Sequence, residues 1–527
     1  MVTPLAVAIA VKGLGALVAM LAAAGALTLP NARARAVSAL AALVLGPLLL
    51  LAQLWSNTQV VNLRHHPALV AAAIVAGTVV VVALAAAIRR HTWLLPLLAV
   101  AALPFRVPFE SGGQSANLLV PLYVVVAAGV LALAWERFGP ERYRTGDWRE
   151  RRPGWTELAL TAFVLLYALQ SAYSGDFEQA LKNIAFFYIP FMLLLKLLIT
   201  VRWPARAVTA CFGVSVVLAL GFALVGFAEY ATKHIFLNQK LIESNQFESY
   251  FRVNSLFYDP NIFGRFLALV MIGLAAILLW PRRHRDPLIA AVALAVLWGA
   301  LIVSFSQSSI AALLVGLAVL AALRFGLRPV AMAVAAVAAL GIVVIVAKPS
   351  LIHLNTQSKG SVDRATSGRI DLMRGGLRMF TDKPLYGFGS GGFSHEFRKR
   401  EGAGKRQAAT ASHTIPITVA AEQGVPGLAA YVAVLIATFG LLFRGLGGLR
   451  ERAPPPRLVT RAFLAAAYSG LVLHTFLYAA FLEDPITWTL LAAGIALGRP
   501  DDPTASSSER ALPSSSGQAS ASASSPA

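Results

Sequence analysis

Cysteine is nearly missing: Cys211 stands alone in 527 residues, inside an apolar run. A disulfide framework and a thiolate metal site are therefore excluded. Charged residues are also scarce, at 13% against 57% hydrophobic, with a mean hydropathy of +0.68. That balance excludes an ordinary soluble domain. Acidic side chains are the rarer charged class, 25 against 45 lysines and arginines, for a formal charge of +20. The histidines and carboxylates follow no spacing that suits zinc or calcium, so neither a metal nor another cofactor is expected. No internal repeat is visible.

What the chain does have is apolar runs, each long enough at roughly 20 helical residues to cross a hydrocarbon layer of ~30 Å. They fall near 4–28, 36–54, 67–88, 92–105, 117–135, 155–173, 181–200, 207–230, 261–280, 287–304, 308–323, 329–347, 415–443, 462–481 and 485–498. The expected fold is an all-α polytopic membrane protein with about 12–15 transmembrane helices, since several runs are short enough to be re-entrant. The first run continues into the second without a convincing cleavage site, so it is expected to remain as a span. Four regions follow: helices over 1–347, a large polar loop over 348–414 containing short helices, helices again over 415–500, and a Ser/Ala/Pro-rich tail over 501–527. The tail has nothing to bury and is expected to be disordered.

The placement of the positive charge argues against a nucleic-acid partner. Arginines crowd into alternate short loops: 33–35, 89–90, 137–152, 202–206, 282–285, 324–328 and 444–461. Such loops are expected to face the cytoplasm, and the bilayer is the expected partner. The intervening short loops, "SGDFEQA" and "FSQSS" among them, are nearly free of basic residues and belong outside. By the same alternation 348–414 is extracytoplasmic, although it carries twelve lysines and arginines. Long loops cross largely regardless of charge, so that surplus calls for another explanation.

Two outer segments hold the candidate functional groups. In "RVNSLFYDPNIFGRF" Asp259 is suited to cap a helix and Pro260 to begin it, and the free N–H groups there favour an anion. Asn261 and Arg265 are four apart and share a face, with Arg265 about one turn inside the boundary. Intramembrane arginine is costly and marks a candidate site, the alternative being a side chain that snorkels to the headgroups. In the large loop, Thr366 and Ser367 offer caps ahead of Ile370, Met373, Leu377 and Phe380 at helical spacing, beside Arg374 and Arg378. That pattern suits a helix lying in the interface, with these two arginines attracted to anionic headgroups. Arg369, in the first turn, need not follow them.

"GFGSGG" formally matches G-x-G-x-x-G at Gly387, Gly389 and Gly392, but without a preceding strand and a following helix in a βαβ unit it is not a dinucleotide loop. Flexible turning and close approach of backbone to something bulky are the expected roles. His413, two residues before the helix at Ile415, titrates near pH ~6.5 when unperturbed and can accept a proton. Glu422 lies in the first turns of that helix and is expected to pair with a cation, with Arg265, Arg369 and Lys182 as the options. Few ionisable groups sit at mid-membrane, only Lys12, Lys182 and Lys196 besides Arg265, and no paired broken helices are visible. Both features disfavour a secondary transporter or lipid flippase.

In order and spacing, "RVNSLFYDPNIFGRFLALV", "SGRIDLMRGGLRMFTDKPLYGFGSGGF" and "SHTIPITVAAEQGVPGL" resemble the O-antigen ligase superfamily over roughly residues 250–440. The resemblance implies transfer of a glycan from an undecaprenyl-pyrophosphate carrier to an acceptor hydroxyl on a lipid, a protein or a wall glycan, at the outer face of the inner membrane and without metal. A glycan polymerase of the same superfamily is the alternative. Carried over by position, Arg252 opens the family's "R-x-x-G" stretch, Arg369 is its loop arginine and His413 its essential histidine. Two positions depart from the pattern: Thr414 follows the histidine where Asn is usual, and Ser255 replaces the glycine. The chemistry of the residues agrees, because guanidinium forks suit a pyrophosphate leaving group. Arg252, Arg265 and Arg369, with Asn261, are the expected pyrophosphate contacts, His413 the general base, and Asp259 and Glu422 supporting residues.

Overall fold

The computed structural model describes residues 4–55, 61–62, 64–111, 114–141, 144–145, 147–237, 251–347, 369–401, 414–451, 453–478 and 480–498. Among these, twelve helices are long and apolar enough to cross a membrane, and two shorter apolar helices accompany them. The chain is an all-α polytopic membrane protein, as its hydropathy predicts. In order the helices are α1 (Pro4–Thr28), α2 (Ala32–Leu54), α3 (Pro67–Arg90), α4 (Leu94–Ala102), α5 (Val120–Phe138), α6 (Trp155–Gln170), α7 (Phe177–Asn183) and α8 (Ile189–Thr200). There follow α9 (Ala205–Thr232), α10 (Pro260–Leu279), α11 (Asp286–Val303), α12 (Gln307–Phe325), α13 (Leu327–Ala347), α14 (Arg369–Asp382), α15 (Phe393–Glu401), α16 (Ile415–Phe443), α17 (Pro456–Leu477) and α18 (Pro485–Gly498).

The run expected to span at 92–105 does not. It forms only the nine-residue α4, turns at Leu103 and Pro104, and enters a short antiparallel hairpin, Val107–Ser111 with Gln114–Leu118. Pro104 and Pro108 cannot extend a helix there, and this hairpin is the one sheet among the described residues. A π-helical turn, Ile184–Tyr188, joins α7 to α8 into one membrane-length element.

The bundle has two chemically different ends. At one, Glu150 takes ion pairs from Arg35 (2.8 Å), Arg137 (2.9 Å) and Lys196 (3.1 Å), tying α2, α5, α8 and the loop before α6 together. Trp280 donates to Leu449 O (3.0 Å) and Arg324 to Glu451 O (3.2 Å) at the same end. Lys196, expected at mid-membrane, is thus one turn from the end of α8, and Lys182 pairs with Glu178 (3.1 Å) near the other end. The opposite end carries the 252–261 segment, the 304–306 turn, the 478–484 turn and α14–α15. Between the ends, Leu, Ala and Phe side chains of α8, α10 and α17 form a continuous core, including Leu194, Leu267 and Ala466.

Candidate functional site

At the polar end α10 begins as its sequence suggests: Asp259 caps it, accepting from Asn261 N (2.6 Å), and Pro260 is the first helical residue. Asn261 does not offer its side chain freely. Its Oδ1 accepts from Ser306 (3.0 Å) and Ser308 (3.4 Å), and its carbonyl from Ser309 (3.2 Å). His474 Nε2 joins the same buried serines at 3.2 and 3.3 Å. The "FSQSS" turn is therefore a polar knot locking α10, α12 and α17 together, and buried hydroxyls need such partners.

Arg265, one turn deeper, is 1% exposed and pairs with Asp484, itself 1% exposed, at 2.5 Å. Its Nη1 also donates to Ala480 O (3.1 Å). It does not snorkel. A second guanidinium, Arg106 from the turn after α4, shares the neighbourhood: burial lowers its pKa, the Asp484 charge opposes that, and Arg265 adds to it. Two arginines therefore stand beside one carboxylate, and the buried Nε of each lacks a hydrogen-bond acceptor among the described residues. Leu103, Phe266 and Ile486, close in the chain to Arg106, Arg265 and Asp484, line the wall of an almost wholly apolar cavity of about 210 Å³. Arg252 lies at the same end, its Nε donating to Ser304 O (3.4 Å).

Ser255 explains its own departure from the glycine pattern. Its φ is +52°, in the left-handed region that glycine occupies without cost. Here the conformation is held by Glu229, which accepts from Ser255 N (2.7 Å) and Asn254 N (3.2 Å), and by Ser255 Oγ donating to Phe222 O (2.8 Å).

Of the three cations expected to pair with Glu422, Arg265 and Lys182 are taken by other carboxylates, and the side chain of Arg369 lies outside the described residues. Buried in α16, Glu422 accepts from Gly391 N (2.8 Å) and Phe393 N (3.0 Å) of the glycine loop. The loop docks here because α16 is broken. Gly424 has φ +65° and Pro426 follows, so the carbonyls of residues 421–423 lose their helical donors. Phe388 N (3.1 Å), Gly389 N (2.8 Å) and Gln170 Nε2 (3.1 Å) replace them in turn. A Cβ at Gly389 would lie 2.4 Å from Ser174 Cα, so the close backbone approach expected of this stretch is to the protein's own chain. No paired broken helices were expected from the sequence, and α16 is a single broken helix.

Above that break, α14 packs Leu372 and Met379 against Phe393, Phe397 and Ala421, leaving Met373, Arg374, Leu377 and Arg378 exposed. Arg369 opens α14, and its side chain lies outside the described residues, as do His413 and the caps Thr366 and Ser367. Thr414, the residue after His413, stands at the N-cap position of α16 and donates to Phe476 O (3.1 Å), four residues before Ala480 and eight before Asp484. Among the described residues no three His, Cys, Asp or Glu side chains are grouped as metal ligands.

Sequence reasoning missed Arg106, His474, Glu483 and Asp484. Glu483 is half-buried in the turn before α18, accepts from Tyr188 Oη (3.0 Å), and has its carboxyl pushed up by loss of solvent. Two signals were present: "EDP" repeats the Asp-Pro helix start of 259–260, and Arg106 is a lone cation in a short turn otherwise without one. No curated protein matches the chain. Residues 292–432, from α11 through the broken start of α16, match the family described as O-antigen ligase, and that match supports membership of the O-antigen ligase superfamily.

Proposed function

We propose that the protein is a metal-independent, inverting glycosyltransferase of the bacterial cytoplasmic membrane that moves a glycan from an undecaprenyl-pyrophosphate carrier to an acceptor hydroxyl. The arginine-rich end faces the cytoplasm by the charge rule, and the end bearing Arg106, Arg252 and Arg265 faces outward. The observation that carries the reading is the excess of guanidinium over carboxylate at Arg106, Arg265 and Asp484, with unpaired N–H groups, set against an apolar cavity. A polyprenyl tail suits the cavity and a pyrophosphate suits the cations.

In the proposed reaction the acceptor oxygen attacks the anomeric carbon as the bond from that carbon to the phosphate oxygen breaks. His413 takes the hydroxyl proton, and the electron pair of the broken bond leaves with the carrier pyrophosphate. Arg252 and Arg369, with Arg265 and Arg106 behind them, stabilise that growing charge most where water is excluded. The configuration at the anomeric carbon inverts in this single displacement. Asn261 and Asp259 hold the start of α10, and Glu422 holds the glycine loop.

The test supplies purified protein in nanodiscs with one labelled lipid-linked glycan, with and without lipid, protein or wall-glycan acceptors. Transfer to an added acceptor with release of the lipid pyrophosphate is expected. Chain lengthening without an added acceptor would make it a polymerase of the same superfamily. Movement of the lipid across the bilayer with no covalent product would refute the enzyme reading.

A further inference from the structure

A large polar cavity lies at the other end of the molecule. It measures about 530 Å³ and is lined by five arginines, Arg149, Arg151, Arg202, Arg282 and Arg457, with no carboxylate in its lining among the described residues. Glu150, between two of these in the chain, is engaged by Arg35, Arg137 and Lys196. Two helices also open into it. Pro204 and Ala205 at the start of α9, and Pro455 and Pro456 at the start of α17, are lining residues. Neither helix has a side-chain cap or an acidic residue in its first turn. Helix starts present backbone N–H groups and positive dipole ends, which favour an anion. A collection of cations this dense around two uncapped helix starts exceeds what orientation in the membrane requires.

The opposite wall is apolar. Ile199, Val201 and Ala496 line it, and Trp203, Val208 and Leu497 are shared with the apolar cavity between the helices. A small soluble anion would use the arginines and leave this wall bare. We propose that the cavity is a binding site for an anionic phospholipid of the leaflet at the basic end, its phosphate held by Arg202, Arg282 and the two helix starts, and an acyl chain descending past Trp203, Val208 and Leu497. The phosphate-holding groups lie at the opposite end from the proposed glycan-transfer groups, the two sites share only the Trp203, Val208 and Leu497 wall of the apolar cavity, and the lipid site does not depend on the activity proposed there.

The test is native mass spectrometry of the delipidated full chain in detergent, titrated with phosphatidylglycerol, phosphatidylcholine, glycerophosphoglycerol and inorganic phosphate. One phosphatidylglycerol is expected to bind at least about tenfold more tightly in the parent than in Arg202→Gln/Arg282→Gln. Both substituted side chains are exposed at the cavity mouth, and Arg202→Lys/Arg282→Lys keeps the charge without the fork and should fall between the two. Arg33→Gln/Arg90→Gln removes two exposed arginines outside the cavity at the same end and should leave binding unchanged. Equal loss in that control pair, or no loss in the cavity pair, would overturn the site. So would equal affinity for phosphatidylcholine. Glycerophosphoglycerol or inorganic phosphate binding as tightly as the lipid would overturn the assignment of a lipid occupant.

Discussion

Removing Asp484 is the most informative perturbation of the end that carries Arg106, Arg252 and Arg265. Its carboxylate and the Arg265 guanidinium are each 1% exposed, and Arg106 adds a second positive charge nearby. Asp484→Ala leaves a buried arginine without its counter-charge beside another cation. Breaking one side of a buried pair costs about 3–5 kcal/mol, and the like-charged neighbour places this case toward the upper end. Equilibrium unfolding in mixed micelles should therefore show a loss of that size for Asp484→Ala. Arg265→Met/Asp484→Leu removes both charges at similar volume and should return to within about 1–2 kcal/mol of the parent. If the guanidinium also serves the carrier phosphate, the double variant is stable and inactive. An Asp484→Ala protein within about 0.5 kcal/mol of the parent would refute the ion pair as the clasp between α10 and the 478–484 turn. A fully active double variant would remove Arg265 from the chemistry.

Further expectations concern the other named groups. Glu422→Ala withdraws the carboxyl acceptor from Gly391 and Phe393, so hydrogen exchange over 387–393 should accelerate by an order of magnitude or more; unchanged protection would contradict the docking of that loop. Gly389→Ala meets Ser174 backbone at 2.4 Å and should lower the yield of folded protein, while a fully stable variant would show that the loop can withdraw. Burial raises the Glu483 carboxyl, so the native state holds a proton that the unfolded chain has released, and stability should fall as pH rises above the ordinary carboxylate range. Glu483→Gln should flatten that slope, and an unchanged slope would assign it elsewhere. His413→Ala and Arg369→Ala should abolish transfer in inserted, folded protein, full turnover by either excluding that residue from the mechanism.

Most of the architecture was legible because the bilayer imposes helices of fixed length and the charge rule sorts the loops. The failures have local causes. The run at 92–105 is apolar enough to span, yet Pro104 and Pro108 end it after nine helical residues, and hydropathy does not register that break. In α16 the Gly424–Pro426 pair was visible, but its consequence depends on the glycine loop returning from residues 387–393 to satisfy the freed carbonyls. The site was legible where chemistry is local, as in the Asp259 cap. It was not where partners are far apart in sequence: Arg265 and Asp484 are separated by more than two hundred residues, and nothing in either segment names the other. Arg106 was overlooked because a single arginine in a short turn carries no pattern. Ser255 illustrates the reverse, a substitution that reads as a defect until Glu229 is seen holding its backbone.

The central claim, a lipid pyrophosphate held at the outer guanidinium cluster with its tail in the apolar cavity, is tested most directly by photo-crosslinking. A polyprenyl pyrophosphate bearing a photoreactive group in its first isoprene units is irradiated with the protein in nanodiscs, and the labelled peptides are sequenced. Adducts at residues around Leu103, Phe266 and Ile486, displaced by unlabelled lipid-linked glycan, are the expected result. Labelling confined to other helices, or indifferent to competitor, would contradict the account.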